Sequence, residues 1–206
     1  MGWLYQKQKL RHETPVQYFK RELTFSKGDV SATVLDAAAA RGTVYAAVRN
    51  QDRRAGTDYV FCAVILFKNT ERDGFVYKTM RESMGPCEVD CPDRIMRLLS
   101  PVEQIPNPSY TSDWRARVAA AKTKRKTTED LVAQLKHGVT IKVGYELTFA
   151  QSGIRADTFR FLFRHKRTLV FEPTGHSSFL CRLLREALAM ATIVTPEPVA
   201  AGAADA

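Results

Sequence analysis

Apolar and polar positions in the first half of the chain predict a β-sheet. Three segments have the β-branched and aromatic content of strands, at residues 43–48, 59–67 and 74–80. Polar turns at 50–57 and 69–74 separate them. Consecutive strands joined by short polar turns pair in antiparallel fashion, so the pattern predicts an antiparallel meander.

Helix signals precede this meander. Thr14 followed by Pro15 is typical of a helix start, with a hydroxyl N-cap and proline in the first helical position. A short helix is therefore expected over residues 16–23. The alanines near residue 40 favour a second helix over 29–40, which Gly42 would end.

The middle of the chain predicts short helices separated by breaks. Asp90 is placed to cap a helix over residues 93–99. Ser112 is placed to cap the next helix. Thr127, followed by acidic residues, is a second N-cap signal, so the pattern predicts a new helix there that ends at Gly138.

After Gly138 the pattern returns to strands. Alternating apolar positions predict two strands and then a hairpin, and a final apolar stretch predicts a closing helix: 139–143, 145–149, 158–164 with 168–171, and 179–191. The alanine- and proline-rich end is expected to be disordered.

These segments together predict an α+β fold. An antiparallel sheet with helices forms the N-terminal part, a basic helical connector follows, and a small β-rich unit ends the chain. The expected boundaries are an α+β domain over 1–105, the connector over 106–127, the β-rich unit over 128–195 and the disordered tail over 196–206.

Charge adds a candidate partner to this outline. The 206 residues include 31 Lys or Arg and 22 Asp or Glu, a net charge of +9. The stretch 114–126 holds six cations and no acid. A basic block of this kind favours a polyanion, and nucleic-acid phosphate is the usual one.

Helical spacing divides this basic stretch into two stripes. Trp114 and Val118, with Ala121, fall on one stripe that is able to pack. Arg115, Lys122 and Lys126 fall on a neighbouring stripe and are expected to stay in water.

The predicted C-terminal hairpin carries a second basic element. Alternation places Phe159, Phe161 and Phe163 on one face of the strand and Arg160 and Arg164 on the other. Three phenylalanines on one face favour a core position, with the arginines extending the basic surface. The alternative is that exposed aromatic rings beside these cations bind single-stranded bases.

We therefore expect a non-enzymatic protein that contacts nucleic acid through phosphates with little sequence specificity. The expected nucleic-acid-binding residues are Arg115, Lys122, Lys124, Lys126, Arg160 and Arg164. The alternative partner is an acidic surface of a host protein, toward which the same charges would steer association.

Other chemistry receives little support from the sequence. Cys62 and Cys181 lie in apolar runs typical of reduced core cysteines, and Cys87 and Cys91 have no downstream pair at zinc-binding spacing. No metal ion or cofactor is therefore predicted. A third hypothesis is an enzyme that uses the carboxylates of the acidic segment 82–93, which are Glu82, Glu88, Asp90 and Asp93.

Hydropathy predicts a cytoplasmic protein without a membrane partner. No apolar run reaches the ~20 residues that a membrane helix needs. The first residues lack the charged and then apolar arrangement of a secretion signal.

Several motifs resemble an uncharacterised family of bacterial proteins associated with plasmids, phages and other mobile elements. They are the opening Met1-Gly2-Trp3-Leu4, the core motif Gly85-Pro86-x-Glu88-x-Asp90-Cys91-Pro92 with the preceding Tyr77-Lys78-x-Met80-x-Glu82, and Trp114-Arg115-x-Arg117. The resemblance covers about the first 120 residues and implies no activity and no catalytic residue. It implies that the segment 85–99 belongs to the family's core and that Trp114 and Arg115 are structural.

Overall fold

The computed structural model describes residues 4–6, 13–69 and 75–194. They belong to two compact units, Met1–Lys122 and Thr123–Ala206. Each unit contains one antiparallel sheet with helices, which confirms the predicted α+β class. Among these described residues, no helix is both long and apolar enough to cross a membrane.

The first unit is built on a six-stranded sheet. Its strands are β1 (Leu4–Gln6), β2 (Phe25–Lys27), β3 (Val30–Ala40), β4 (Thr43–Asp52), β5 (Thr57–Asn69) and β6 (Phe75–Arg81). They are ordered β1-β6-β5-β4-β3-β2 and all pair antiparallel. The predicted meander is therefore confirmed, with β4 and β5 longer than the sequence indicates.

The central strands of this sheet are buried on both faces. On one face, Val44, Ala46 and Val48 of β4 pack in a core that includes Tyr18 and Phe19. Both aromatics come from helix α1 (Pro15–Glu22).

On the other face, Tyr45 and Ala47 of β4 join a second core with Trp114 and Val118. Strands covered on both sides read as continuous apolar runs rather than as alternation.

Helix α1 begins as predicted. The Thr14 hydroxyl accepts from the Gln17 backbone N–H at 3.3 Å, and the Gln17 side chain accepts from the Thr14 N–H at 2.8 Å. This reciprocal capping box satisfies two backbone donors that a helix start leaves unpaired.

The predicted helix over residues 29–40 is wrong, because this segment is strand β3. Helix propensity favoured its alanines, but that preference is under 1 kcal/mol per residue and sheet pairing overrides it. β3 pairs with β4 from Val30↔Asp52 to Ala40↔Thr43, with a bulge at Leu35.

Three predicted caps in the middle of the chain, Asp90, Ser112 and Thr127, are also wrong. Helix α2 is short (Asp93–Met96) and its N-cap is Pro92, with no side-chain cap. The Asp90 backbone N–H instead donates to the Tyr45 hydroxyl at 3.0 Å. Helix α3 (Pro108–Gln134) begins before Ser112 and is continuous through Thr127.

The hydroxyls at 127 and 128 are bonded within α3 rather than at a helix start. Thr127 Oγ1 donates to the Thr123 carbonyl at 3.1 Å, and Thr128 Oγ1 donates to the Lys124 carbonyl at 2.8 Å. Both hydroxyls are satisfied within the helix, four residues back, and so neither serves as a cap. The division between the two units, after Lys122, falls within this helix.

The second unit is built on a four-stranded sheet. Its elements are β7 (Thr140–Thr148), β8 (Arg155–His165), β9 (Thr168–Pro173), helix α4 (Arg185–Leu188) and β10 (Thr192–Ile193). The strand order is β10-β7-β8-β9. The predicted β8–β9 hairpin is confirmed, whereas the two strands expected over 139–149 form one irregular strand.

The closing helix predicted over 179–191 is mostly wrong. Cys181 pairs with Phe171 in an antiparallel bridge, and only α4 is helical. Residues after 194 lie outside the described part of the chain, as does the tail predicted to be disordered.

The core of this unit lies on one face of the sheet. Strand side chains Ile141, Phe159 and Phe171 are fully buried there, and they pack with Leu131 of α3 and Leu188 of α4.

Candidate nucleic-acid interface

Arg115 is held inside the first unit by a buried carboxylate. Its Nε donates to Glu82 Oε2 at 2.7 Å and its Nη2 to Glu82 Oε1 at 3.0 Å, while its Nη1 donates to the Ser100 carbonyl at 2.8 Å. The Glu82 side chain is 0% exposed and that of Arg115 is 17% exposed. The expectation that Arg115 stays in water is wrong, and we leave it out of the candidate interface.

Side chains of α3 donate hydrogen bonds to backbone carbonyls of the segment after Glu82. Trp114 Nε1 donates to the Glu88 carbonyl at 2.9 Å, and Arg117 Nη2 donates to the Pro86 carbonyl at 3.1 Å. Gly85 turns the chain with a φ of 62°, a conformation that favours glycine. These contacts give the sequence motif around Gly85 a structural role.

Glu82, Asp90 and Asp93, three of the four carboxylates of the acidic segment 82–93, have separate cationic partners. Asp90 pairs with Arg41 at 3.4 Å, and Asp93 pairs with Lys122 at 2.5 Å. Within the described ranges, Glu88 Oε2 is buried without a hydrogen-bond partner, and no three metal-binding side chains cluster. Asp90 and Asp93 are therefore each engaged by a cation from a different part of the chain.

The cysteines are free thiols. Cys62 and Cys181 are buried, as the sequence predicts, and burial raises the pKa of the Cys62 thiol and raises that of Cys181 to about 11. The Cys91 sulfur lies 3.9 Å from that of Cys62, whereas Cys87 is exposed.

Apart from Arg115, helix α3 divides its side chains as the helical spacing predicts. Trp114 and Val118 are buried, whereas Lys122, Lys124 and Lys126 are exposed. Lys122 belongs to the first unit, where it pairs with Asp93, while the other two lysines belong to the second. In the part of the chain that the structure describes, no ion pair engages Lys124 or Lys126.

Arg160 of β8 has a close acidic partner. Its Nε donates to Glu172 Oε2 at 2.9 Å, and its Nη2 pairs with the same oxygen. The Glu172 side chain is 7% exposed and that of Arg160 is 51% exposed, so the guanidinium covers the carboxylate and remains open to solvent. The pair lowers the charge that Arg160 presents.

A β-bulge changes the face on which Phe163 lies. Phe161 pairs with Phe171, but Phe163 pairs with Val170 because Leu162 is an extra residue in β8. Phe159 and Phe161 are buried as expected, whereas Phe163 is 49% exposed. The prediction of a core position for Phe163 is wrong, because regular alternation does not continue through a bulge.

The same bulge redistributes the two arginines of β8. Alternation predicts that Arg160 and Arg164 share a face opposite to Phe163. Beyond the bulge, directly paired residues instead place Phe163 and Val170 on the face of Arg160, with Arg164 on the opposite face. The structure thus brings Arg160 and Phe163 to one face and separates Arg164 from them.

The β8–β9 turn adds cations beside Phe163. Arg164, His165, Lys166 and Arg167 are all exposed. Lys166 has a φ of 53°, which is uncommon for a residue with a side chain, and its carbonyl accepts from Arg164 Nε at 3.2 Å. A run of four consecutive basic side chains in the sequence is the signal that marks this turn.

Comparison with known proteins gives a match over part of the chain. A family model described as a domain of unknown function, DUF6927, matches residues 105–186. The matched range contains α3, β7, β8 and β9, and ends within α4. The match is consistent with an uncharacterised family, although it overlaps the motif-based resemblance only over residues 105–120. No curated protein and no solved structure matches the chain.

Proposed function

We propose that this is a non-enzymatic binding protein that contacts nucleic acid mainly through phosphates. The observation that carries the proposal is the set of exposed cations in the second unit. They lie on α3 and at the β8–β9 turn, and comprise Lys124, Lys126, Arg164, Lys166 and Arg167.

The charge balance of the second unit supports a polyanionic partner. Residues 123–194 contain 12 Lys or Arg and 6 Asp or Glu, a net charge of +6. Two of those acids, Asp157 and Glu172, already pair with Lys142 and Arg160. Each phosphate that a remaining cation neutralises releases counterions and adds affinity independent of base sequence.

The setting of this function is part of the proposal. The motifs of the first 120 residues resemble mobile-element proteins, and a mobile element needs proteins that handle its own nucleic acid. We place the protein in the cytoplasm of a bacterium, where that nucleic acid is present.

Charge reversal on α3 tests the function. Lys124→Glu combined with Lys126→Glu is expected to weaken binding to DNA and RNA oligonucleotides in a fluorescence anisotropy titration. The control is Lys27→Glu combined with Arg54→Glu, which changes the net charge equally at two exposed positions of the first unit. Wild-type affinity is expected to fall steeply between about 50 and about 200 mM salt.

Two results would contradict the proposed function. One is wild-type protein that binds neither DNA nor RNA at low salt. The other is a purified protein that carries a stoichiometric acidic protein and no nucleic acid, which would favour the protein-interaction alternative.

A further inference from the structure

Register determines what shares a face with Phe163 in β8. Phe171 points into the core, so its neighbours Val170 and Glu172 lie on the other face of β9. Their direct partners across the ladder are Phe163 and Arg160.

The same face continues to the turn. His165 pairs with Thr168, and alternation places His165 on the face of Phe163. Phe163 is therefore an exposed aromatic ring with Arg160 on one side along the strand and His165 on the other. Lys166 and Arg167 follow at the turn. We call these five residues the Phe163 platform.

Hydrogen bonds with residues 137–139 hold the bulge that creates this platform. His137 Nδ1 contacts the carbonyl oxygen of Leu162, the extra residue, at 2.7 Å. A carbonyl can only accept, so Nδ1 donates in this contact. The Gly138 N–H donates to the Phe161 carbonyl at 2.8 Å, and the Phe161 N–H donates to the Val139 carbonyl at 2.7 Å. Three contacts thus hold the shifted register that exposes Phe163.

The chemistry of the platform favours an unpaired base. An exposed aromatic ring stacks on a base face at any sequence, and neighbouring cations hold the adjoining phosphates. In a duplex the base faces are covered by neighbouring pairs, so Phe163 has no access to them. A single strand offers a base face and phosphates together.

We propose that the Phe163 platform stacks an unpaired base of single-stranded nucleic acid. This inference rests on the proposed function, because it names the form of nucleic acid that the cationic unit prefers. Phe163 supplies the stacking surface and Lys166 and Arg167 hold the flanking backbone, while Arg160, which pairs with Glu172, borders the ring.

The test compares Phe163→Ala with Phe25→Ala. Phe25 is a matched control, since it is 51% exposed on β2 of the first unit. Binding is measured by fluorescence anisotropy on labelled oligothymidylate and on a mixed-sequence duplex of the same length, with unlabelled polyphosphate as a polyanion that has no bases. Phe163→Ala is expected to weaken oligothymidylate binding roughly 5- to 150-fold, the range that one stacked base supplies. Phe25→Ala is expected to have no effect.

A second variant separates stacking from folding. Phe163→Trp retains an aromatic surface, so it is expected to preserve oligothymidylate binding, and its added indole fluorescence is expected to be quenched by the oligonucleotide. The dissociation constant for polyphosphate, derived from the competition curves, is expected to be the same for wild type, Phe163→Ala and Phe163→Trp.

The outcomes separate this inference from the function on which it rests. If Phe163→Ala binds oligothymidylate like wild type while the α3 charge reversal still weakens binding, the platform is overturned and the function stands. Equal losses on oligothymidylate, duplex and polyphosphate also overturn the platform. Phe163-dependent binding to anionic vesicles without oligonucleotide binding overturns both in favour of a membrane surface.

Discussion

Glu82 and Arg115 form a buried bidentate ion pair that joins the end of β6 to α3. Glu82 Oε1 also accepts from the Cys62 backbone N–H at 2.9 Å, so one carboxylate connects β5, the turn after β6 and the helix. A buried ion pair of this kind contributes little to folding stability compared with an apolar pair of the same shape. Removing one partner is nevertheless strongly destabilising, because it leaves an uncompensated charge in the interior.

Breaking this pair is expected to unfold the first unit more readily. Arg115→Met leaves the Glu82 carboxylate buried and unpaired, at a cost of about 3–5 kcal/mol in the free energy of unfolding. Urea denaturation followed by tryptophan fluorescence measures it, because Trp114 is fully buried next to the pair in sequence. The double variant Arg115→Met with Glu82→Gln is expected to recover part of this free energy. A loss below about 1 kcal/mol in Arg115→Met alone would show that the pair is exposed to solvent.

The threonines at 14 and 127 are expected to respond differently to alanine. Thr14→Ala removes a capping box and is expected to cost about 1 kcal/mol. Thr127→Ala lies inside α3, where alanine has the higher helix propensity, so stability is expected to be unchanged or slightly greater. The midpoint of thermal unfolding of each variant, compared with that of wild type, measures the two effects. A comparable loss at Thr127 would restore the helix break that the sequence suggests.

Acid is expected to weaken the pairing of β4 with β5 through Asp58. The hydrogen bonds from Arg49, with a further one from Gln51, hold the pKa of Asp58 below its ordinary value. A lowered pKa in the folded state stabilises the protein above the unfolded-state pKa, near 3.9, and this stability is lost as pH falls through the folded-state value.

The loss of stability at acidic pH is therefore expected to differ between wild type and Asp58→Asn. The free energy of unfolding is measured by urea titration at a series of pH values below about 5. The variant is expected to lose less stability than wild type over that range. An equal fall in the free energy of unfolding with pH in the two proteins would show that the Arg49 contact does not persist in solution.

Thiol labelling is expected to select one cysteine. Cys87 is exposed, whereas Cys62, Cys91 and Cys181 are buried, and burial raises the pKa of the Cys62 and Cys181 thiols. The thiolate is the reactive form, so iodoacetamide on the native protein is expected to modify Cys87 alone. Mass spectrometry of wild type and Cys87→Ser checks this, with all four thiols reacting in denaturant. Native-state labelling of Cys62 would show that this core opens.

His137 is expected to act on the Phe163 platform as a positioning residue. His137→Ala removes the donor to the Leu162 carbonyl, so the bulge loses one of its three contacts. Oligothymidylate affinity is expected to fall by less than in Phe163→Ala, with duplex and polyphosphate binding unchanged. His137→Asn keeps a side-chain donor and is expected to restore much of the loss. A loss equal on all three ligands would show that His137 contributes only charge or stability.

Local pattern determined much of the fold. The cap at Thr14, the strands β4 to β6 and the β8–β9 hairpin were predicted, because each depends on residues close together in sequence. The packing stripe through Trp114 and Val118 was also predicted, since helical spacing alone decides which side chains share a face.

Where local signals were weak or conflicting, the hydrogen bonding of the whole strand or helix decided. The alanines of β3 have a helix preference that is small beside a full ladder to β4. The threonine signal at 127 yielded to a helix whose carbonyls satisfy the same hydroxyls.

The candidate site shows the same division. The sequence by itself determined that the second unit is basic and that its hairpin carries aromatic rings beside cations. Only the tertiary structure showed that Glu82 buries Arg115, because their separation of 33 residues leaves no local signal. It also decided that one extra residue, Leu162, turns Phe163 outward: in a strand the faces alternate, and a single bulge reverses them for every residue that follows.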